Sequence, residues 1–135
     1  MDETKPLILL IDDDAGIRKM LGRRLELQGF RVVGAEDGEE GLRIAQEQLP
    51  NLVLLDIMMP KMKGRDVCAK LKADPKTKHI PVIFLTALGL ADHISAGMRL
   101  GADDYIVKPF DSEELKERIR ICLARHAHPA ANAEG

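Results

Sequence analysis

Asp56 ends the run Leu52-Val53-Leu54-Leu55, and a carboxylate held after a buried strand can serve as a nucleophile toward phosphorus. Three other apolar runs stop at residues with related chemistry. Leu7 to Ile11 reaches Asp12 and Asp13, Val82 to Leu85 reaches Thr86, and Tyr105-Ile106-Val107 reaches Lys108. If the four runs are neighbouring parallel strands, three carboxylates, a hydroxyl and an ammonium share one rim. A carboxylate attacking a phosphoryl group there would form an aspartyl phosphate, and a divalent cation would relieve the repulsion between the two anions. Clustered hard oxygens such as those of Asp12 and Asp13 suit Mg2+, which takes one or two carboxylates together with waters and phosphate oxygens. Mn2+ is the natural substitute.

Each residue also has a plainer explanation. Asp12, Asp13 and Asp14 could serve only as acids at a helix N-terminus. Asp56 could make a turn before Met58-Met59-Pro60, and Thr86 could reflect no more than β propensity. Ala87 after Thr86 is small and would leave the hydroxyl accessible. Lys108 could point to solvent, although the Lys108-Pro109 step is a candidate cis peptide that would aim the ammonium inward. What favours the chemical reading is the recurrence of such residues at the same end of successive strands. His126-Ala127-His128 lacks a third ligand and reads as solvated.

Elements of alternating period must position this set. Short apolar runs alternate with stretches of helical spacing, the pattern of five βα units around a parallel sheet. The first helix starts near Asp14, carries Ile17, Met20, Leu21 and Leu25 at helical spacing, and ends at Gly29. The second strand covers 31–35, the second helix 38–48, and the third strand follows Pro50. A third helix over about 65–73 precedes a turn-rich segment from Asp74 to Lys78, and the next strand begins near Pro81. A fourth helix at about 91–100 has only Ile94 and Met98 as an apolar stripe. The last helix is capped by Asp111 or Ser112 and buries Leu115, Ile119, Cys122 and Leu123. Helices on both faces of such a sheet give a doubly wound α/β fold, in which ligands sit beyond the carboxyl ends of the strands.

Composition sets the outer bounds. The 135 residues fit one domain, with 45% hydrophobic and 31% charged residues. With 3% aromatic residues and a formal net charge of −2, neither base stacking nor a positive field draws the domain to nucleic acid or anionic membranes. Cys68 and Cys122 lack metal-ligand spacing and read as reduced core residues. No apolar stretch is long enough to cross a bilayer, so a cytoplasmic location is expected. Residues 126–135 read as a disordered tail or the start of a linker.

Leu10-Ile11-Asp12-Asp13-Asp14, Leu55-Asp56-Ile57-Met58-Met59-Pro60 with Gly64, Phe84-Leu85-Thr86-Ala87, and Gly101 to Phe110 together resemble the receiver domain of bacterial two-component response regulators. The likeness covers about residues 7–125. It implies a flavodoxin-like (βα)5 sheet of order 2-1-3-4-5 and a signalling domain rather than a metabolic enzyme. Asp56 would be the phosphoacceptor. Asp13 and Asp56 would bind Mg2+ directly, Asp12 largely through water, and Met58 through its backbone carbonyl. Thr86 and Lys108 would hold phosphoryl oxygens, and Thr86 with Tyr105 would form the switch. The donor would be a phosphohistidine on a sensor kinase or phosphotransfer protein, or a small acyl phosphate.

Phosphorylation would then bias the surface of the fourth helix, fifth strand and fifth helix toward a partner, an effector or a homodimer, without direct nucleic-acid contact by this domain. Asp104, Arg118 and Glu114 match part of the charged set of the regulators that dimerise on DNA, but Ile94 replaces a basic residue. The segment from Asp74 to His79 is similar to stand-alone receivers and those joined to nucleotide cyclases or kinases, so an output outside the DNA-binding group is expected. Two other readings compete. A haloacid-dehalogenase-like phosphatase would use Asp12 and Asp14 as its D-x-D pair, although Gly16 replaces the expected Thr and the chain lacks room for a capping domain. A degenerate receiver would act only through protein contacts.

Met58 and Leu88, two residues beyond Asp56 and Thr86, are apolar along the expected path of the attacking water, so the phosphoryl group should be long-lived. The double substitution Met58→Asn with Leu88→Glu is expected to shorten its lifetime, as measured by decay of the labelled protein. An equal or longer lifetime refutes this.

Overall fold

Continuous burial of its middle strands explains the sheet. Ile8 to Ile11, Leu52 to Leu55 and Val82 to Leu85 are each fully enclosed, as expected of parallel strands covered on both faces. The computed structural model describes residues 4–59, 62–87, 95 and 98–126. Its strands are β1 (Leu7–Ile11), β2 (Arg31–Ala35), β3 (Leu52–Asp56), β4 (Val82–Ala87) and β5 (Asp104–Lys108). They form one parallel sheet in the order β2-β1-β3-β4-β5, the order that the resemblance implies. Between them lie α1 (Ala15–Leu27), α2 (Gly38–Gln48) and α3 (Gly64–Ala73), and the C-terminal helix Ser112–His126 follows β5.

Alternation along the strands divides the core in two. Leu9, Ile11, Val53, Leu55, Val82 and Phe84 pack with Ile44 of α2 and with Val67, Cys68 and Leu71 of α3. Ile8, Leu10, Leu52, Leu54, Ile83, Leu85 and Ile106 pack on the other face with Leu21 and Leu25 of α1 and with Leu115, Ile119 and Cys122 of the C-terminal helix. Both cysteines are free and buried. Burial pushes each thiol up to about 11, which keeps it protonated and unreactive at neutral pH.

Local chemistry sets the helix ends. Asp14 Oδ1 accepts from the Ile17 N–H at 3.1 Å and caps α1, and Gly29, with φ of 101°, turns the chain beyond it. Asp37 Oδ1 accepts from the Glu40 N–H at 2.9 Å, while Glu40 Oε1 accepts from the Glu36 N–H at 2.9 Å. Asp111 Oδ1 accepts from the Glu114 N–H at 2.7 Å, so Asp111 caps the C-terminal helix.

Despite its helical spacing, Met20 is 50% exposed, because the buried stripe of α1 runs through Leu21, Gly22 and Leu25 and leaves Met20 on the far side. The expected tail needs one correction: His126 belongs to the last helix, and its Nε2 lies 3.1 Å from Asp103 Oδ1. Of the expected fourth helix, Ser95, Met98 and Arg99 are helical. Ile94, Leu88, Pro60 and the 127–135 tail lie outside the described residues.

Gly22 and Gly64 have opposite requirements. A Cβ on Gly22 would lie 3.7 Å from Val32 Cγ1, an ordinary contact inside a helix. One on Gly64 would fall 2.5 Å from the Asp56 carbonyl oxygen and 2.7 Å from Ile57 Cα, backbone that cannot yield without moving the end of β3. Gly22→Ala is therefore expected to raise stability by about 1 kcal/mol, and Gly64→Ala to lower it by about 2 kcal/mol or more. Urea unfolding followed by circular dichroism measures both, and a neutral Gly64→Ala refutes the close approach.

Candidate functional site

Strand register brings the acidic side chains together. Ile11 pairs with Leu55, so Asp12 and Asp56 come next at the end of adjacent strands. Asp12 follows the alternation of Ile8 and Leu10, Asp56 that of Leu52 and Leu54, and Lys108 that of Ile106. All three thus belong to the face of the sheet shared with α1 and the C-terminal helix. Lys108 Nζ lies 3.6 Å from Asp12 Oδ2 and 4.0 Å from Asp56 Oδ2. Asp13 completes the group, with one oxygen from each of Asp12, Asp13 and Asp56 lying within 4.8 Å of the others. Three carboxylates against one ammonium leave an excess of negative charge.

Asp12 is 1% exposed. Its Oδ1 accepts from the Asp14 N–H at 2.9 Å, whereas its buried Oδ2 has no hydrogen-bond donor. Leaving such an oxygen unsatisfied costs about 1–3 kcal/mol unless a ligand or ion meets it. Asp56 Oδ1 accepts from the Met58 N–H at 3.1 Å. Burial pushes the Asp56 carboxyl from 3.8 up to about 6; Asp12 and Asp13 add to the rise, while the Met58 N–H and Lys108 oppose it. An orphaned buried oxygen, an excess of negative charge and hard oxygen donors all fit a small divalent cation such as Mg2+.

The other expected residues are placed less uniformly. Lys108-Pro109 is cis, as the sequence suggests. Met58 is 43% exposed. Thr86 ends up enclosed rather than accessible. It is 1% exposed, it follows the alternation of Val82 and Phe84, and its hydroxyl donates to the Ala87 carbonyl at 3.3 Å. The small neighbour did not open it, because the fourth strand is enclosed along its length. Tyr105 is 38% exposed, and Arg118 bridges its carbonyl at 3.1 Å and Asp104 Oδ1 at 2.8 Å. Arg18, which carries no motif in the sequence, donates to the Asp12 carbonyl at 2.7 Å.

One oxygen of the second carboxylate in the phosphatase reading, Asp14 Oδ1, caps α1. The segment from Asp74 to His79 also acquires a structural role. Thr77 is buried and donates to the Leu71 carbonyl at 2.7 Å, and the Asp74 carbonyl accepts from Thr77 and Lys78. The segment closes the end of α3.

Comparison with known proteins agrees with this geometry. The family model for the response regulator receiver domain matches residues 8–120. A protein of Cyanophora paradoxa named "Probable transcriptional regulator ycf27" is 52% identical over 130 residues, covering 96% of this chain and 53% of that protein. The "DNA-binding dual master transcriptional regulator RpaA" of Synechocystis is 45% identical over 120 residues, covering 89% of this chain and 50% of that protein. Among solved structures, a response regulator receiver domain protein of Clostridium thermocellum superposes with a TM-score of 0.84 at 34% identity, covering 89% of this chain and 95% of that one. The chain spans about half the length of the curated relatives it matches. Those names are of transcriptional regulators, whereas the 74–79 segment had suggested an output outside the DNA-binding group. By the family match and by these relatives, the chain belongs to the response regulator receiver domains.

Proposed function

We propose that Asp56 is the phosphoacceptor of this receiver domain and that Asp12, Asp13 and Asp56, with the Met58 carbonyl, hold the Mg2+ that supports its loading. One observation carries this reading: Lys108 Nζ lies 3.6 Å from Asp12 Oδ2 and 4.0 Å from Asp56 Oδ2, and that buried Asp12 oxygen has no hydrogen-bond donor. An Asp56 oxygen attacks phosphorus, the bond from phosphorus to the donor breaks, and the donor leaves as histidine or, from acetyl phosphate, as acetate. Lys108 balances charge on the incoming group, and bound Mg2+ would supply further neutralisation. No general base is needed, because positioning and charge neutralisation suffice. A sensor histidine kinase or histidine phosphotransfer protein is the donor that this chemistry calls for.

Thr86 and Tyr105 form the proposed switch. Among the described residues the Thr86 hydroxyl is hydrogen-bonded to its neighbour's carbonyl alone, at 3.3 Å, a long bond that one to an added phosphoryl group would replace. The readout is the surface made by the 91–100 segment, β5 and the C-terminal helix, acting on a partner, an effector or a second copy of the chain. The relatives named as transcriptional regulators favour an output in transcription through sequence outside this domain. Residues 1–125, extended by His126 of the last helix, are taken as the receiver and the remainder as tail or linker. Among the described residues no helix is long and apolar enough to cross a membrane, and we place the domain in the cytoplasm.

Two experiments test the assignment. Acetyl phosphate with Mg2+ should give one phosphoryl adduct by mass in the wild type and none in Asp56→Asn; an adduct in both defeats the site. Phosphomonoester turnover abolished by Asp12→Asn but not by Asp56→Asn would instead favour the phosphatase.

The second uses pH. Because the folded carboxyl of Asp56 lies near 6, above its unfolded value of 3.8, the folded protein holds the proton more tightly, and stability falls as pH rises through that interval. In chelator, Asp56→Asn should therefore be more stable than wild type above about pH 6, by on the order of 3 kcal/mol at most, and the advantage should fade toward pH 4. Melting curves that differ equally at both pH values refute the charge explanation.

A further inference from the structure

We infer that Arg18 is a positioning residue for the acidic rim, a role that rests on the Mg2+ reading above and extends it beyond the carboxylates. The argument starts from the polar atoms of Asp12. Its N–H donates to the Ala35 carbonyl at 3.1 Å, its Oδ1 accepts from the Asp14 N–H at 2.9 Å, and its carbonyl accepts from the Arg18 guanidinium at 2.7 Å. Only Oδ2 lacks a hydrogen-bond donor. Three ties thus fix the residue so that its remaining oxygen is the one offered at the site, and Arg18 supplies the one side-chain donor among them.

Arg18 closes on the loop twice. Its backbone N–H donates to the Asp14 carbonyl at 3.0 Å while its side chain returns to Asp12. Residues 12–14 are bracketed from the first turns of α1, and Asp13, the exposed member of the acidic group, lies inside the bracket. The stem of Arg18 lies along β2 at Gly34, where a Cβ would sit 3.5 Å from Arg18 Cδ. The guanidinium is therefore guided between two elements and is not a free surface cation. Partners that orient ligating carboxylates commonly change metal affinity by an order of magnitude or more when removed.

The sign of the effect separates this role from a simple field effect. A cation near the rim repels Mg2+, so if Arg18 acted only through its charge, removing it would tighten binding. A positioning role predicts the reverse. Calorimetric titration with Mg2+ should show Arg18→Met binding roughly tenfold more weakly than wild type, with Arg18→Lys recovering most of the loss. Labelling of Arg18→Met by acetyl phosphate should recover at saturating Mg2+. Melting in chelator establishes that each variant is folded. Unchanged or tighter Mg2+ binding by a folded Arg18→Met overturns the role, as does an Arg18→Lys no better than Arg18→Met. If Arg18→Met does not fold, the Arg18→Lys affinity decides, and a loss as large as tenfold or more overturns the role. A wild-type chain that takes up no Mg2+ overturns the metal reading and Arg18 with it, so the two failures are distinguishable.

Discussion

Two-residue alternation along parallel strands, locked by register, puts Asp12, Asp56 and Lys108 on one face at one rim. Slipping β3 by one residue against β1 would send Asp56 to the opposite face, among the side chains that pack on α2 and α3. The buried runs beneath the site prevent this. Leu52 to Leu55 have no exposed surface, and a slip would exchange every one of them between two differently shaped cores. Hydrophobic burial, which has no direction of its own, thereby fixes the height and facing of a carboxylate to within a bond rotation.

The same burial makes the site electrostatically expensive. Asp12 is enclosed, Asp56 nearly so, and the low local polarity that strengthens their attraction to Lys108 also strengthens their mutual repulsion. Desolvation is the largest cause of the raised Asp56 carboxyl, ahead of either neighbouring aspartate. The core below offsets that cost, and on the proposed function the cost is what gives the site its sensitivity. A cation or phosphoryl group arriving where charge is unbalanced changes the local energy more than it would on an exposed surface.

The sequence conveyed what depends on spacing along the chain. Apolar runs ending in Asp12, Asp56, Thr86 and Lys108 marked the strands, and Asp14 and Asp111 sit where capping needs an oxygen acceptor. Features set by packing across the chain were harder to see. Met20 has the spacing of a buried residue but lies off the stripe that Gly22 occupies, where the helix meets Val32. The Thr86 hydroxyl is closed off by an enclosed strand, which the small size of Ala87 could not foretell. Arg18 reaches back six residues to a carbonyl, a contact that leaves no periodic trace. The 74–79 segment suggested an output class because its length was visible, whereas its work in closing α3 was not.

The two ends of β4 differ in a way that bears on switching. At its start, the Asp103 N–H donates to the Val82 carbonyl at 2.8 Å and Asp103 Oδ2 accepts from the Val82 N–H at 2.8 Å, a grip in both directions. Lys72 Nζ lies 3.6 Å from that carboxylate and His126 Nε2 3.1 Å from its other oxygen, so α3 and the C-terminal helix are tied to the same point. At its far end the Thr86 backbone pairs with Val107 of β5, while among the described residues its hydroxyl has a single long hydrogen bond, to its neighbour's carbonyl. On the proposed switch, a turn of the Thr86 side chain therefore breaks one long hydrogen bond, whereas moving the start of β4 would break the two-way grip of Asp103 and the ties of α3 and the C-terminal helix to it.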